Sequence, residues 1–408
     1  MQDTRSSALF QYHVNGDDRL ARQAIIAFAA SISPEGVIEA RFPSQGVQRI
    51  TGFSLFWILQ LFDHHMYFGD PEFTSKHLHT VDGVLGFFDR QIGTNGLVQS
   101  LPSDHWAFVD WVTRWSDTGD CEPGVPLAGR QNGIFTYLSM LYAYTLEKGS
   151  RICKDLGRSD TAQEYARRRE SLLQAVRQYC FDGKFFTDSL ANGVSPSDDY
   201  SEHCQVWAVL SGATDDRLAQ QKLLTDSCIL PTRAFSRCSY AMKFYAMRAY
   251  AHAGIYDDIY HQSFSPWHKM LDQNLSTWEE DDVNARSDCH AWSALPVYEY
   301  LSEVSGIKPD ESGWGTMIFA PRIRLYSKAH IVVPLGNKGI AEVKWSKDPD
   351  GVVRVRLSLP SKMNVVVHLP GSDSVLHQTV SSLDLKWTSA EGAPMKTREA
   401  DSLIDITP

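Results

Sequence analysis

The chain has 408 residues, 43% of them hydrophobic and 22% charged, with a formal net charge of −10. A chain of this kind buries a large core, either as one big domain or as two smaller ones. Its acidic balance argues against a nucleic-acid partner, and with no run of roughly 18 apolar residues it offers no membrane-spanning segment.

From about residue 17 onward the apolar spacing is helical. Leu20, Ile25, Ile26, Phe28 and Ala29 form one stripe after Asp17-Asp18, a helix-start signal. Phe53, Phe56, Trp57, Leu59, Leu61 and Phe62 form the next, apolar almost all round, as expected of an interior helix. Further helices are expected over 71–92, 131–148, 159–180, 201–211, 215–226, 237–253, 256–273 and 288–304. Turns such as Gly93-Thr-Asn-Gly96 and Glu122-Pro-Gly124 separate them.

After about residue 315 the period changes from helical to alternating. Strands are expected over 329–334, 340–345, 352–359 and 364–369, divided by Gly336-Asn337, Asp348-Pro-Asp-Gly351 and Pro370-Gly371. The tail from about 390 is polar.

Seven cysteines, at 121, 153, 180, 204, 228, 238 and 289, are odd in number and show no C-x-x-C spacing. A disulfide framework or a metal site is therefore not expected. Phosphate, dinucleotide, serine-hydrolase and zincin motifs are absent, so no cofactor is expected either. His64-His65 beside Asp63 has a metal-like look, but adjacent helical residues point apart and are read as packing or surface. The first residues contain no apolar secretion signal, which predicts a cytoplasmic protein, the alternative being a piece of a longer secreted chain.

The richest chemistry lies between Ser276 and Arg322. Trp278, Glu279, Glu280, Asp281 and Asp282 form an acidic cluster ahead of a predicted helix opening with Arg286, Asp288, His290 and Trp292. Carboxylates, an imidazole, a guanidinium and flat aromatic faces suit a sugar pocket. The plainer alternative is a solvated acidic loop beside packing residues. The chain's 11 Trp, 16 Tyr and 19 Phe also suit a cavity for a carbohydrate or an apolar ligand.

Arg286-Ser-Asp-Cys-His-Ala-Trp-Ser-Ala294, then Gly306-Ile-Lys-Pro309 and Ala320-Pro-Arg322, resemble the junction of glycoside hydrolase family 78. These are inverting α-L-rhamnosidases of the six-hairpin glycosidase superfamily. Four further stretches resemble that family in order: Arg41-Phe-Pro-Ser44 with Phe53-Ser-Leu-Phe-Trp57, Tyr67-Phe-Gly-Asp-Pro-Glu-Phe73, Trp106-Ala-Phe-Val-Asp-Trp111, and Ser201-Glu-His-Cys-Gln205. The resemblance implies a mainly α protein, an (α/α)6 barrel or toroid over 1–315, followed by a small antiparallel β-sandwich over 316–408.

It also implies roles. Inverting glycosidases use two carboxyl groups about 6.5–9.5 Å apart, one giving a proton to the leaving oxygen and one taking a proton from water. Thr277-Trp278-Glu279-Glu280 resembles the family's base loop, with Glu280 favoured over Glu279. Asp110 resembles a carboxylate that binds sugar hydroxyls, and Trp106 and Trp111 its stacking partners. His203, Gln205, Trp278 and Trp292 are expected to line the pocket, and His290 to contact the sugar. Arg286 and Asp288 either line it or pair to brace the loop. Arg41 reads as a surface residue.

The family's acid lies upstream of a helix start that Gln2-Asp-Thr-Arg5 resembles, so it has no counterpart here. The chain is then either a shortened piece or a protein that has abandoned the usual donor. Three functions follow: a rhamnosidase-like hydrolase acting on a rhamnoside, a cyclase or pericyclase folding an apolar natural product in the same cavity, or a dead carbohydrate-binding protein.

Overall fold

In the computed structural model, which describes residues 1–99, 101–115, 123–191, 200–281, 287–368 and 375–388, helices lead and strands follow. The helices are α1 (Gln2–Asn15), α2 (Arg19–Ala30), α3 (Thr51–Phe68), α4 (Pro71–Ser75), α5 (Leu78–Arg90), α6 (Leu127–Asn132) and α7 (Thr136–Asp155), followed by α8 (Ser159–Tyr179), α9 (Glu202–Ser211), α10 (Arg217–Leu224), α11 (Tyr240–Ala253), α12 (Tyr256–Ser263), α13 (Ser265–Asp272) and α14 (Leu295–Tyr298). The helix α1 is hard to read from apolar spacing because Gln2, Arg5 and His13 are buried alongside Leu9, Phe10 and Tyr12, which blurs its stripe.

The helix expected over 288–304 is broken. Residues 287–290 are loop, Ala291–Ser293 make one 3-10 turn, and α14 then runs into a π-helical turn over Glu299–Val304. Pro296 stands in the first turn of α14 and sets its start. A proline fits a helix's first turn, where its missing N–H would have no intrahelical partner, and not the interior of a helix running from 288 to 304. Asp288, His290 and Trp292 therefore precede the helix instead of opening it. Arg286 and Asp282 lie outside the described residues.

The chain divides into two compact units. Met1–Ser6, Gln23–Phe62 and Glu72–Ser293 form the first; Ser7–Arg22, Asp63–Pro71 and Ala294–Pro408 form the second.

In the first unit, α5 touches α7, α7 touches α9, and α9 touches α11; α8 packs on α7, α10 on α9 and α11, and α12 on α11. Burial follows this order. Every residue of α9 except Leu210 is buried, whereas α8 hides only Ala162, Tyr165, Leu172, Leu173, Ala175 and Val176, one face of 21 residues. Helices buried all round alternate with amphipathic ones, and the sequence shows why: EHCQVWAVLS has little to present to water, while RRRES does. Trp207 of α9 is fully enclosed, and burying a side chain of this class contributes roughly 1.5–3 kcal/mol. Local signals close the helices. Asp216 accepts from Ala219 N at 2.7 Å as the N-cap of α10, and Gly212 ends α9 in the left-handed conformation.

The second unit is built on a six-stranded sheet of β1 (Ile307–Pro309), β2 (Thr316–Phe319), β3 (Lys328–Pro334), β4 (Ile340–Lys347), β5 (Val352–His368) and β6 (Val375–Thr388). Its order is β1-β2-β5-β4-β3, with β6 also on β5. Two expected strands, 352–359 and 364–369, prove to be one. A register shift between Ser358 and Met363, around Pro360, interrupts their pairing with β6 without ending β5. The first half of β5 pairs with β4 (Val355 opposite Trp345) and the second with β2 (Val365 opposite Met317). The expected all-antiparallel pattern fails at one place, because β2 and β5 run parallel. That pairing is sterically open because β3 and β4 intervene in sequence and provide the long crossover it needs. Met317, Phe319, Val343, Leu357, Val367 and Leu383 line the buried face.

Candidate functional site

Two loops of the first unit carry most of the predicted residues, and the start of α11 joins them.

The first loop runs from Trp106 to Trp115. Trp106 N donates to Arg49 O (2.8 Å) and its indole to Pro123 O (2.9 Å), while Val109 N donates to Gly124 O (2.8 Å). Gly124 has φ +74°, and a Cβ there would meet the Phe108 ring at 2.5 Å, so only glycine lets the strands of this loop close. Trp106, Phe108 and Trp111 pack edge to face, with the Trp106 and Trp111 rings 6.2 Å apart. Both tryptophans stay half-buried.

This packing turns the Asp110 carboxylate inward. It is buried, and its oxygens accept from Ser239 N (2.9 Å), the Ser239 hydroxyl and Trp111 N (2.9 Å), with His203 Nε2 at 2.7 Å. Asp110 therefore ties the loop to the first turn of α9 and to the residue ahead of α11. The His203 ring leans on Trp115, 5.1 Å between centroids. Gln205 is a brace too: its amide oxygen accepts from Phe186 N (3.0 Å), and its nitrogen donates to Phe186 O (2.7 Å) and Ser201 O (3.0 Å).

The second loop is the acidic one. Glu280 N donates to Ser287 O (2.8 Å) and His290 N to Trp278 O (2.9 Å), while the Thr277 hydroxyl reaches Asp288 O. These cross-bonds tie residues 277–280 to residues 287–290. Glu280 and Asp281 are buried, Trp278 and Glu279 half-buried, and Asp288 exposed. The Trp292 indole, also buried, donates to Glu280 O (2.7 Å) and packs 4.4 Å from the His290 ring. Within the described part of the acidic run, Glu280 and Asp281 are withdrawn from solvent.

His290 stands between two carboxylates, with Nδ1 3.8 Å from Glu280 Oε2 and Nε2 2.9 Å from Asp3 Oδ1. Burial works to raise the Asp3 carboxyl, but the His290 hydrogen bond and the nearby Met1 amino group hold it below its ordinary value. Glu279 accepts from the Tyr240 hydroxyl at 3.3 Å. Tyr240 follows Ser239, so the segment that anchors Asp110 also reaches the acidic loop.

Apolar spacing and motif order do not single out Asp3, Ser239 and Tyr240 as site residues. A cap-type serine ahead of the apolar run from Tyr240 is a detectable signal for Ser239. Its hydroxyl bonds to Asp110, however, and not to its own helix. Deeper in the unit, Glu202 accepts from Cys238 N (2.8 Å) and pairs with Arg237 (2.8 Å), and burial pushes its carboxyl up. Burial likewise pushes Asp188 up, although the Ser201 hydroxyl donates to it. Among the described residues no cluster of three His, Cys, Asp or Glu side chains is arranged to hold a metal ion, and no helix is long and apolar enough to cross a membrane.

Comparison with known proteins agrees with the sequence resemblance. Residues 306–384 match the bacterial alpha-L-rhamnosidase C-terminal domain. No curated protein matches the sequence. Among solved structures the chain is similar to the GH78 family rhamnosidase of Bacillus sp. GL1, at 24% identity and a TM-score of 0.75, over 90% of this chain and 38% of that one. The alpha-L-rhamnosidase of Aspergillus terreus is similar at 13% identity and a TM-score of 0.74, over 96% and 45%. A rhamnosidase from Klebsiella oxytoca with rhamnose bound is similar at 18% identity and a TM-score of 0.62, over 74% and 57%. The chain thus resembles family 78 α-L-rhamnosidases in fold, and it spans well under two thirds of each of these relatives.

Proposed function

We propose that this chain is the helical and sheet portion of an α-L-rhamnosidase-like, inverting glycoside hydrolase, acting on a rhamnosylated small molecule or glycan. In this reading the contacts running from α5 through α7 and α9 to α11 are part of an inner ring of helices, closed as an (α/α)6 barrel. Glu280 is the general base. The observation that carries this is its buried carboxylate beside His290, with its own backbone N–H bonded to Ser287 O, in a rhamnosidase-like fold. A carboxylate held close to an imidazole can take a proton from water and be steadied while it does so. Trp106, Trp111 and Trp278 keep half-buried faces for the sugar's C–H surface. Asp110, His203 and Gln205 support these walls from behind. No observation on the molecule favours the cyclase or the binding-protein alternative.

An aryl α-L-rhamnoside with an acidic phenol tests the base alone, because such a phenolate departs with little protonation. The wild type is expected to release the phenol and to form first the anomer of inverted configuration, seen by proton NMR. Glu280→Gln should lower kcat by roughly 10²–10⁴, the usual share of a general acid or base, and Glu279→Gln far less. No release by the wild type overturns the hydrolase reading. Equal release by wild type and Glu280→Gln removes Glu280 as the base.

A further inference from the structure

A cleft of about 550 Å³ opens beside the Asp110 loop, and its walls are cationic. Arg114 comes from the turn after Trp111, Arg237 from the segment before α11, and Lys243 from the first turn of α11. Among the described residues no carboxylate lines it, in a chain whose net charge is −10. The acids nearby lie behind the wall and are engaged, Glu202 with Arg237 and Cys238 N, Asp110 with Ser239, Trp111 and His203.

Three details point to a ligand and not to a merely solvated surface. Arg237 gives one nitrogen to Glu202 while its side chain stays 58% exposed, which leaves donors of its five-donor fork facing outward. Lys243 is half-buried and forms no hydrogen bond or ion pair with another described residue. Ser236, on the same wall, is 2% exposed, and its hydroxyl has no hydrogen-bond partner among the described residues. A buried hydroxyl without a partner is costly unless a ligand supplies one. Trp111 and Phe235 add apolar surface to the same cleft.

We propose that this cleft binds an anionic saccharide, a sugar carrying a carboxylate or a sulfate, with Lys243, Arg237 and Arg114 facing the charge and the Ser236 hydroxyl donating to it. The proposal rests on reading the adjoining loops as a glycoside site. It narrows the substrate to one with an acidic sugar next to the group that is cleaved.

The test is calorimetric binding at low salt, with two matched pairs of probes: digalacturonic acid against its methyl ester, and galactose 6-sulfate against galactose. The wild type is expected to bind at least one charged member tenfold or more tightly than its neutral partner, and the preferred pair says whether the anion is carboxylate or sulfate. Lys243→Gln and Arg114→Gln should each reduce that preference by threefold or more, and 0.5 M salt should reduce it in the wild type. Equal affinity for charged and neutral probes, binding of neither, or an unchanged preference in both variants overturns the proposal. Turnover of a neutral aryl rhamnoside is read separately. Turnover without any anion preference sinks this proposal alone, and anion preference without turnover sinks only the hydrolase.

Discussion

Nδ1 of His290 lies 3.8 Å from Oε2 of Glu280, and that carboxylate is buried. The other ring nitrogen is held by Asp3 at 2.9 Å, which fixes the imidazole plane. Glu280 therefore has a neighbour whose position is set from the far side.

His290→Gln removes this neighbour but keeps polarity and approximate size. On the aryl rhamnoside its kcat is expected to fall roughly 10- to 100-fold, less than loss of the proton-transfer group itself, with KM nearly unchanged. Asp3→Asn should act in the same direction but more weakly, because Asp3 works through the ring. Steady-state kinetics of both variants check the order. A larger loss in Asp3→Asn than in His290→Gln contradicts it.

Asp110 is a different kind of carboxylate, and its burial makes the contrast measurable. Asp110→Ala would leave Ser239 N–H, Trp111 N–H and His203 facing an empty buried site. Leaving a buried donor without its acceptor destabilises by roughly 1–3 kcal/mol for each group. Urea unfolding of wild type and variant gives the difference directly. A cost below about 1 kcal/mol would mean that the carboxylate is not the anchor its contacts describe.

Much of this is legible in the sequence, for reasons that differ by residue. The period-3.6 stripes of α2, α8 and α10 are visible because one face meets water. The helix α1 and the stretch before α14 escape that reading, the first because polar residues are buried along it, the second because Pro296 outweighs the apolar spacing around it. The strand β6 alternates over Leu383-Asp-Leu-Lys-Trp-Thr388, but its preceding stretch His377-Gln-Thr-Val-Ser-Ser382 is mostly polar and hides its extent. Glu280 and His290 stand out through composition and motif order, and the structure puts them side by side. That Asp110, His203 and Gln205 turn into the protein is not readable from spacing. Their orientation depends on Ser239 and Phe186, which chain order does not bring near Asp110 and Gln205.

Asp188 gives a pH signature. Burial raises its carboxyl above the ordinary aspartate value, so the folded chain holds that proton more tightly than the unfolded one. The associated stability is complete below the ordinary aspartate range, about pH 4, and is lost as pH rises through the raised value. Asp188→Asn removes the titration and keeps an oxygen to accept from the Ser201 hydroxyl. The stability of the variant relative to wild type is therefore expected to improve as pH rises from about 4 through the raised value. Urea unfolding at three pH values across that window decides it, and a constant difference contradicts the assignment.

Gly69 and Gly313 meet inside the second unit with both backbones left-handed, φ +61° and +59°. A Cβ on Gly313 would lie 2.8 Å from the Gly69 Cα, and the next residue, Trp314, pins the contact by donating its indole N–H to Tyr67 O at 3.0 Å. Gly313→Ala therefore meets two separate penalties. The left-handed backbone costs an alanine roughly 1–2 kcal/mol, and forcing a methyl against main chain that cannot swing aside adds roughly 1–3 kcal/mol. Gly157 separates the two, since its φ is +79° but no atom lies within 4 Å of the place its added methyl would take. Gly157→Ala should show only the backbone cost, and Gly313→Ala the sum. Urea midpoints of the two variants measure the gap. If the two alanines destabilise equally, the close approach of Gly69 and Gly313 contributes nothing to holding this unit together.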